Sequence, residues 1–460
     1  MNTLIALSVL AVVTLFLGIF NFKRWLLPVI ILGLVVALGL NLADWGQVKN
    51  YYSNMFFTDN FFVAFGGLMI FSTIIVFLMS VQYYKDETRS LEGIYAILLF
   101  SLVGGMIMIS SSNLVTFFIG IEIFSISLYL LAGSHRGSHF SNEAAMKYFL
   151  MGSFASAFLL FGITLLYGAT GSLYNQDISK FINEHSGQIP ALLKAGILFV
   201  SIGMAFKVAA APFHFWAPDV YHGSPTLITG YMVTTVKIAG FAAFLRLTQT
   251  CFGNDHTIWA YSLAAIAALS IIVGNFGALM QSRIKRMLAY SSIAHTGYIL
   301  VALVALQTST STVFLYYSAA YIISNLAAFM VVIMMKQTLG NTGFESFNGL
   351  AKANPLIALS MAVAMLALTG IPPLAGFMGK YLVFASAMEG GYAWLVIIAV
   401  VGSIVSIFYY FRPIINMYMK QPEHNEKLVA SKLSIGILVF LTLISLVLGL
   451  IPGLLINISI

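Results

Sequence analysis

Apolar runs of about twenty residues, separated by short polar connections, recur along the whole chain. A helix needs about 20 such residues to cross the hydrocarbon core of a bilayer. Fourteen runs qualify, at roughly 2–20, 26–43, 61–84, 93–109, 112–133, 145–170, 192–211, 226–250, 257–280, 288–306, 312–337, 355–387, 393–419 and 433–456. The pattern predicts an all-α polytopic membrane protein with about 14 transmembrane helices. The seventh and twelfth runs are interrupted by prolines, and only QTSTST separates the tenth from the eleventh. The longest connection expected on the outer side, 171–193, carries Asp177, Lys180, Glu184 and His185 and reads as a solvated loop with a short helix.

Composition agrees. Of 460 residues, 60% are hydrophobic and 8% charged, with mean hydropathy +0.95. A soluble domain carries about 25% charged residues. The single cysteine, Cys251, excludes a disulfide framework and a CxxC metal or cluster site. The net charge of +7 has the sign of a nucleic-acid binder, but cytoplasmic loops of membrane proteins collect Lys and Arg. With the N-terminus outside, inner segments hold Lys23, Arg24, Lys85, Arg89, Arg136, Lys147, Arg283, Lys285, Arg286, Lys336, Lys352, Arg412, Lys420, Lys427 and Lys432. Outer segments hold Lys49, Lys180, Lys194 and Arg246. Fifteen against four orients the bundle with both termini outside. The first run begins MNTLIALSVL without a basic n-region, so a retained helix is expected in place of a cleaved signal.

Three lysines fall inside spans: Lys207, Lys237 and Lys380, with Glu122 as the acid in FFIGIEIFSISLYLL. Intramembrane charge is costly and generally functional. A lysine near a helix end could instead snorkel to the interface, which stays open for Lys207 and Lys380 because their helices are interrupted. The stretch 206–225, FKVAAAPFHFWAPDVYHGSP, combines Lys207 with Pro212, Pro218 and Pro225. Each proline removes a backbone donor and clashes with the preceding turn. Irregular backbone persists at membrane depth only beside protein or a water-filled cavity. A broken helix in a polar interior is therefore expected.

Proton transfer suits these residues. Desolvation disfavours an ammonium, and an approaching carboxylate restores it. Movement of Glu122 relative to Lys207, its expected partner, would load or unload a proton. Histidines extend such a relay. His214 lies seven residues after Lys207 and would share its face if the helix continued; His295 lies among Ser291, Ser292, Thr296 and Tyr298. Either histidine could instead be a packing residue. Asp219 reads as a cap or a partner for a loop cation, with a relay role as the alternative. Glu143 and Lys147, at i and i+4, read as a surface pair.

Spacing adds a repeat. Lys207 and Lys380 are 173 residues apart, and the same offset carries Glu122 to His295. Lys237 does not obey it, its counterpart being Tyr410. The offset spans five helices, and an odd number must re-enter the membrane upside down. Helices 4–8 and 9–13 are thus expected to be two inverted five-helix repeats with broken helices 7 and 12, an architecture of transporters. The expected organisation is 1–110 for helices 1–4, 93–250 for the first repeat, 257–419 for the inverted second, and 420–460 for helix 14.

Four stretches carry a resemblance: EAAMKYFLMGSFASAFLLFGITLLYGATGSL from Glu143, FKVAAAPFHFWAPDVYHGSPT from Phe206, KRMLAYSSIAHTGY from Lys285 and GIPPLAGFMGKYLVF from Gly370. Over nearly its whole length the chain resembles the antiporter-like subunits of proton-pumping NADH:quinone oxidoreductase, respiratory complex I, which are related to Mrp-type cation/proton antiporters. Lysine at 380, and an end shortly after helix 14, resemble the subunit N branch.

The resemblance implies a proton path through Glu122, Lys207, Lys237, His295 and Lys380. Glu122 would face Lys207, Lys237 would link two half-channels, His295 would be the polar central residue and Lys380 would stand on the exit side. His214 and Asp219 remain possible relay members. It implies no cofactor or metal in this chain, with NADH, FMN, iron–sulfur clusters and quinone in partner subunits. The expected partners are a neighbouring antiporter-like subunit, small helical subunits and the lipid bilayer, with no nucleic acid; the expected location is a bacterial inner membrane. The alternative is an Mrp-type sodium/proton antiporter subunit, which shares the ion-path residues.

Overall fold

A computed structural model describes every residue except 86–90, 186–187, 253–258, 308, 423–426 and 459. Arg89, residues 257–258 of the ninth expected span, Thr308 of QTSTST and residues 186–187 of the long connection lie outside the described residues.

The elements follow in order: α1 (Asn2–Ile19), α2 (Lys23–Ala43), a hairpin of β1 (Lys49–Tyr51) and β2 (Phe56–Thr58), α3 (Asn60–Tyr83), α4 (Glu92–Ser110), α5 (Leu114–Ala132) and α6 (His139–Thr170). Then come α7 (Asn175–Glu184), α8 (Ala191–Lys207), α9 (Trp216–Gly223), α10 (Thr226–Tyr231), a π-helical turn (Met232–Val236) and α11 (Lys237–Thr250). The second half has α12 (Ala260–Leu279), α13 (Ile284–Ala305), α14 (Thr310–Leu339), α15 (Leu350–Ala353), α16 (Pro355–Thr369), α17 (Ala375–Glu389), α18 (Ala393–Met419), α19 (Lys432–Leu450) and α20 (Gly453–Ile456).

Twelve of the described helical segments are long and apolar enough to cross a membrane, counting 226–250 as one. They match every expected span but the seventh and twelfth. The seventh stops early, with α8 ending at Lys207 and a separate short helix, α9, beyond the break, and the twelfth is divided into α16 and α17. The apolar cores of 226–250 and α14 are buried throughout and that of α13 nearly so, whereas those of α1, α2 and α19 bury only about a third of their residues. Helices apolar on every side belong inside a bundle or against lipid; here the three innermost carry Lys237, His295 and the tyrosines around it.

Close packing fixes the core. A Cβ on Gly274 of α12 would lie 2.3 Å from the Ala294 nitrogen of α13, and one on Gly297 would lie 2.7 Å from the Ala267 oxygen. The two backbones touch because neither glycine has a side chain.

Two charges counted with the connections are buried in helices. Arg246, expected in an outer connection, sits inside α11, buried, with both its terminal nitrogens on Asp59 at 2.6 and 2.9 Å and its guanidinium over Phe57 and Phe61. Asp59 also caps α3 through the Phe62 N–H. Bidentate pairing satisfies a guanidinium that burial would otherwise strand. Lys285, expected in an inner connection, is buried within α13 at 3% exposure.

Candidate functional site

The chain leaves helical geometry directly after Lys207. The Ala210 N–H reaches back to the Ala205 carbonyl at 2.8 Å, and Ala209 has φ +56°. Pro212, in a cis peptide, offers no N–H. Trp216 Nε1 folds back onto the Phe206 carbonyl at 3.2 Å, and the Ala211 N–H bonds Ser270 Oγ on α12 at 2.8 Å. The helix therefore does not continue to His214, which does not share the Lys207 face and instead lies buried beside the Phe215 ring.

Lys207 donates to Ser125 Oγ on α5 at 2.7 Å and Ser156 Oγ on α6 at 3.3 Å. It forms no direct ion pair with Glu122. Ser125 and Ser156 take two of the three ammonium donors, and Glu122, three residues before Ser125, turns aside. The Glu122 carboxylate remains near enough for its charge to act on Lys207. It lines a furrow of about 440 Å³ with Ile97, Phe100 and Phe118, and its Oε1 is buried without a hydrogen-bond partner among the described residues.

Lys237 is the first residue after the π turn, a feature that often marks functional sites. Its ammonium donates to the Ser292 carbonyl on α13. Thr296 Oγ1 lies 3.0 Å from that carbonyl and 2.9 Å from the Val208 carbonyl at the break. One hydroxyl thus bridges the segment after Lys207 and the group holding Lys237.

His295 sits one turn further along α13. Its Nδ1 lies 2.6 Å from the Tyr317 hydroxyl and its Nε2 3.1 Å from the Tyr410 hydroxyl, which also bonds the Ser291 hydroxyl. A hydroxyl can donate or accept, so either tautomer of the ring is satisfied. A void of about 10 Å³, the size of one water, lies among His295, Tyr317, Tyr321 and Ser324.

The second break separates Thr369 from α17. Gly370 has φ +89°, and Pro372–Pro373 is cis. Lys380 reaches back to the Thr369 carbonyl at 2.7 Å and lies 4.9 Å above the Tyr298 ring. Asn275 Nδ2 donates to the Tyr298 hydroxyl at 3.2 Å, and Tyr409 donates to Asn275 Oδ1 at 2.9 Å. Asp219 stands apart from the axis, pairing with Lys147 at 3.0 Å and Arg286 at 3.2 Å; Lys147 also pairs with Glu143 at 2.7 Å.

Each axis lysine is thus held by neutral oxygens or a ring face. A carboxylate partner would trap the proton, because its loss would strand a buried anion. At Lys207 a hydroxyl can donate to the neutral amine as readily as it accepts from the ammonium, while the carbonyls facing Lys237 and Lys380 accept from an N–H of either form. The arrangement can hold the nitrogen in place in both states.

The offset of 173 holds for part of the molecule only. α4, α5 and α6 have 19, 19 and 32 residues, and α12, α13 and α14 have 20, 22 and 30. The lysines, however, lie on opposite sides of their breaks: Lys207 ends α8, and Lys380 is the sixth residue of α17. The connection 171–190, which contains α7, is longer than 340–354, and this moves the first break along the chain.

Ser125, Ser156, Tyr317 and Asn275 were not singled out by the sequence. Thr296 was marked only as a polar neighbour of His295, and Tyr410 only as the counterpart of Lys237 at the shared offset.

Two interrupted helices, buried lysines and a hydroxyl-rich central helix define an antiporter-like, multi-pass membrane protein. Residues 111–406 match the family described as NADH:quinone oxidoreductase/Mrp antiporter, TM, and the chain belongs to this family. The NADH-quinone oxidoreductase subunit N of Flavobacterium psychrophilum is 41% identical over 453 residues, covering 98% of this chain and 99% of that one. A chain of respiratory complex I from Thermus thermophilus, solved with bound aureothin, superposes with a TM-score of 0.85 at 34% identity, covering 99% and 98% of the two chains. A chain of the Mrp complex from Dietzia sp. DQ12-45-1b superposes at 0.87 with 19% identity, covering 99% and 95%, a likeness of fold alone.

Proposed function

We propose that this chain is a proton-translocating membrane-arm subunit of an NADH:quinone oxidoreductase. The carrying observation is the convergence of the candidate path on α13. Lys237 binds its Ser292 carbonyl, Thr296 bridges to the break beside Lys207, His295 joins two tyrosine hydroxyls, and Lys380 covers its Tyr298 ring. A proton taken up near Lys207 would pass through Lys237 and His295 to Lys380, each nitrogen returning to its neutral-oxygen partners. Glu122, whose Oε1 has no hydrogen-bond partner among the described residues, would set the charge balance of Lys207 and carry coupling to a neighbouring subunit. His214 and Asp219 are braces of the broken segment in this reading.

The element lengths support two inverted five-helix repeats. NADH oxidation and quinone reduction, with FMN and iron–sulfur clusters, belong to partner subunits. The basic end, carrying Arg283, Arg286 and Lys336, faces the cytoplasm of a bacterial inner membrane, with both termini outside.

The test uses the assembled complex in vesicles. Lys207→Ala and Glu122→Ala should depress coupled quinone reduction and proton pumping while assembly persists. Normal pumping with either change refutes the roles assigned here.

A further inference from the structure

The break 208–225 leaves loose carbonyls at both ends, and one helix takes both. At the start, Val208 lies beyond the last residue of α8, and its carbonyl accepts from Thr296 Oγ1 of α13 at 2.9 Å. At the finish, Ser224 has extended backbone, ψ 156°, between α9 and α10, so neither helix can use its carbonyl. The Lys285 ammonium donates to it. Ser224 is 1% and Lys285 3% exposed, so water does not substitute for either group. Charged donors make the stronger hydrogen bonds. Lys285 and Thr296 are eleven residues apart on α13. That is about three turns, which puts them on one face. The Ser292 carbonyl that holds Lys237 lies between them.

We propose that Lys285 is a positioning residue, a latch that closes the basic end of the broken segment onto α13. With Thr296 at the other end, α13 acts as a ruler. It sets where the chain beyond Lys207 lies relative to Lys237, although Lys285 touches neither lysine. The proposal rests on the proton path above for its functional consequence, but the latch itself is a matter of geometry.

Hydrogen exchange of peptides covering 208–225, in the assembled complex, reads the latch directly. Lys285→Met leaves the Ser224 carbonyl buried and unpaired, and exchange there should accelerate on the order of ten-fold, the size of one lost bond to a charged group. Lys285→Arg should exchange like wild type, because guanidinium can make the same donation. In vesicles, the ratio of protons pumped to electrons transferred should fall in the Met variant and recover in the Arg variant. Arginine does not release its proton in a protein, so recovery separates positioning from proton carriage. Should Lys285→Met fail to assemble, Thr296→Val tests the other end by the same exchange measurement. Wild-type exchange in Lys285→Met, or an Arg variant that behaves like the Met variant, overturns the latch. Normal pumping in Lys207→Ala would overturn the proton path and leave the exchange result standing.

Discussion

A side chain at position 370 would occupy the space that Lys380 needs. A Cβ there lies 2.9 Å from Lys380 Cδ, and the backbone is left-handed at φ +89°. Gly370→Ala should therefore cost about 1–2 kcal/mol from backbone strain alone and push the ammonium off the Thr369 carbonyl. Both a lowered melting temperature and reduced pumping are expected, and pumping at wild-type rate would show that Lys380 does not depend on this seat. At the centre, Tyr410→Phe removes the hydroxyl shared by His295 and Ser291. An unpaired buried polar group costs about 1–3 kcal/mol. The proton-to-electron ratio should fall while assembly persists; an unchanged ratio would remove Tyr410 from the path. The lysines were legible in the sequence because a lysine at membrane depth is expensive. The partners were not, because serine and tyrosine are unremarked in a membrane helix and only folding brings Ser125 and Ser156 to Lys207 and Tyr317 to His295. Lys285 was hidden differently: beside Arg283 and Arg286 it reads as one more residue of a charged connection.

The helices were legible where length alone decides, since an apolar run of the right length has few alternatives to spanning. The two breaks were legible from proline, which follows Lys207 at 212 and precedes Lys380 at 372 and 373, but the shared offset of 173 does not carry their position relative to each lysine. That position depends on the connection preceding each half-helix, which leaves no mark on the offset between charges. Helix contact was also invisible, although it places α13. Gly274→Ala pushes a methyl into the Ala294 backbone, which cannot step aside as a flexible side chain can. Overpacking of this kind costs about 1–3 kcal/mol, and α13 would carry its polar stripe away from α12. Gly436 on α19 is the contrasting case, with nothing within 4 Å of an added Cβ. Gly436→Ala should stabilise by about 0.4–1 kcal/mol through the unfolded state. Opposite shifts in melting temperature are expected; equal ones would mean that α12 and α13 are not held by backbone contact.

At the scale of the whole molecule, the polar axis is buried at Lys237, His295 and Lys380 and only partly so at Lys207 and Glu122. α11, α13 and α14 shield Lys237 and His295, and the outer helices face outward with apolar side chains. The furrow over Glu122 breaks that pattern. Its α5 wall exposes Ile119, Ile126 and Leu130, yet the Glu122 Oε1 within it lacks a hydrogen-bond partner among the described residues. Lipid chains offer a carboxylate no hydrogen bond, and a polar group left unsatisfied in hydrocarbon costs several kcal/mol. A neighbouring subunit that brings a donor to this depth removes the cost, and it makes Glu122 sensitive to that neighbour's charge. Cys251 is the only cysteine and is buried, so a single probe can be placed with little background. Ile126→Cys should resist a membrane-permeant maleimide in the assembled complex and react once detergent separates the subunits. Phe118→Cys, deeper in the furrow, should follow the same order more slowly. Equal labelling of Ile126→Cys before and after dissociation would leave the furrow open to lipid, and Glu122 would then act on Lys207 alone.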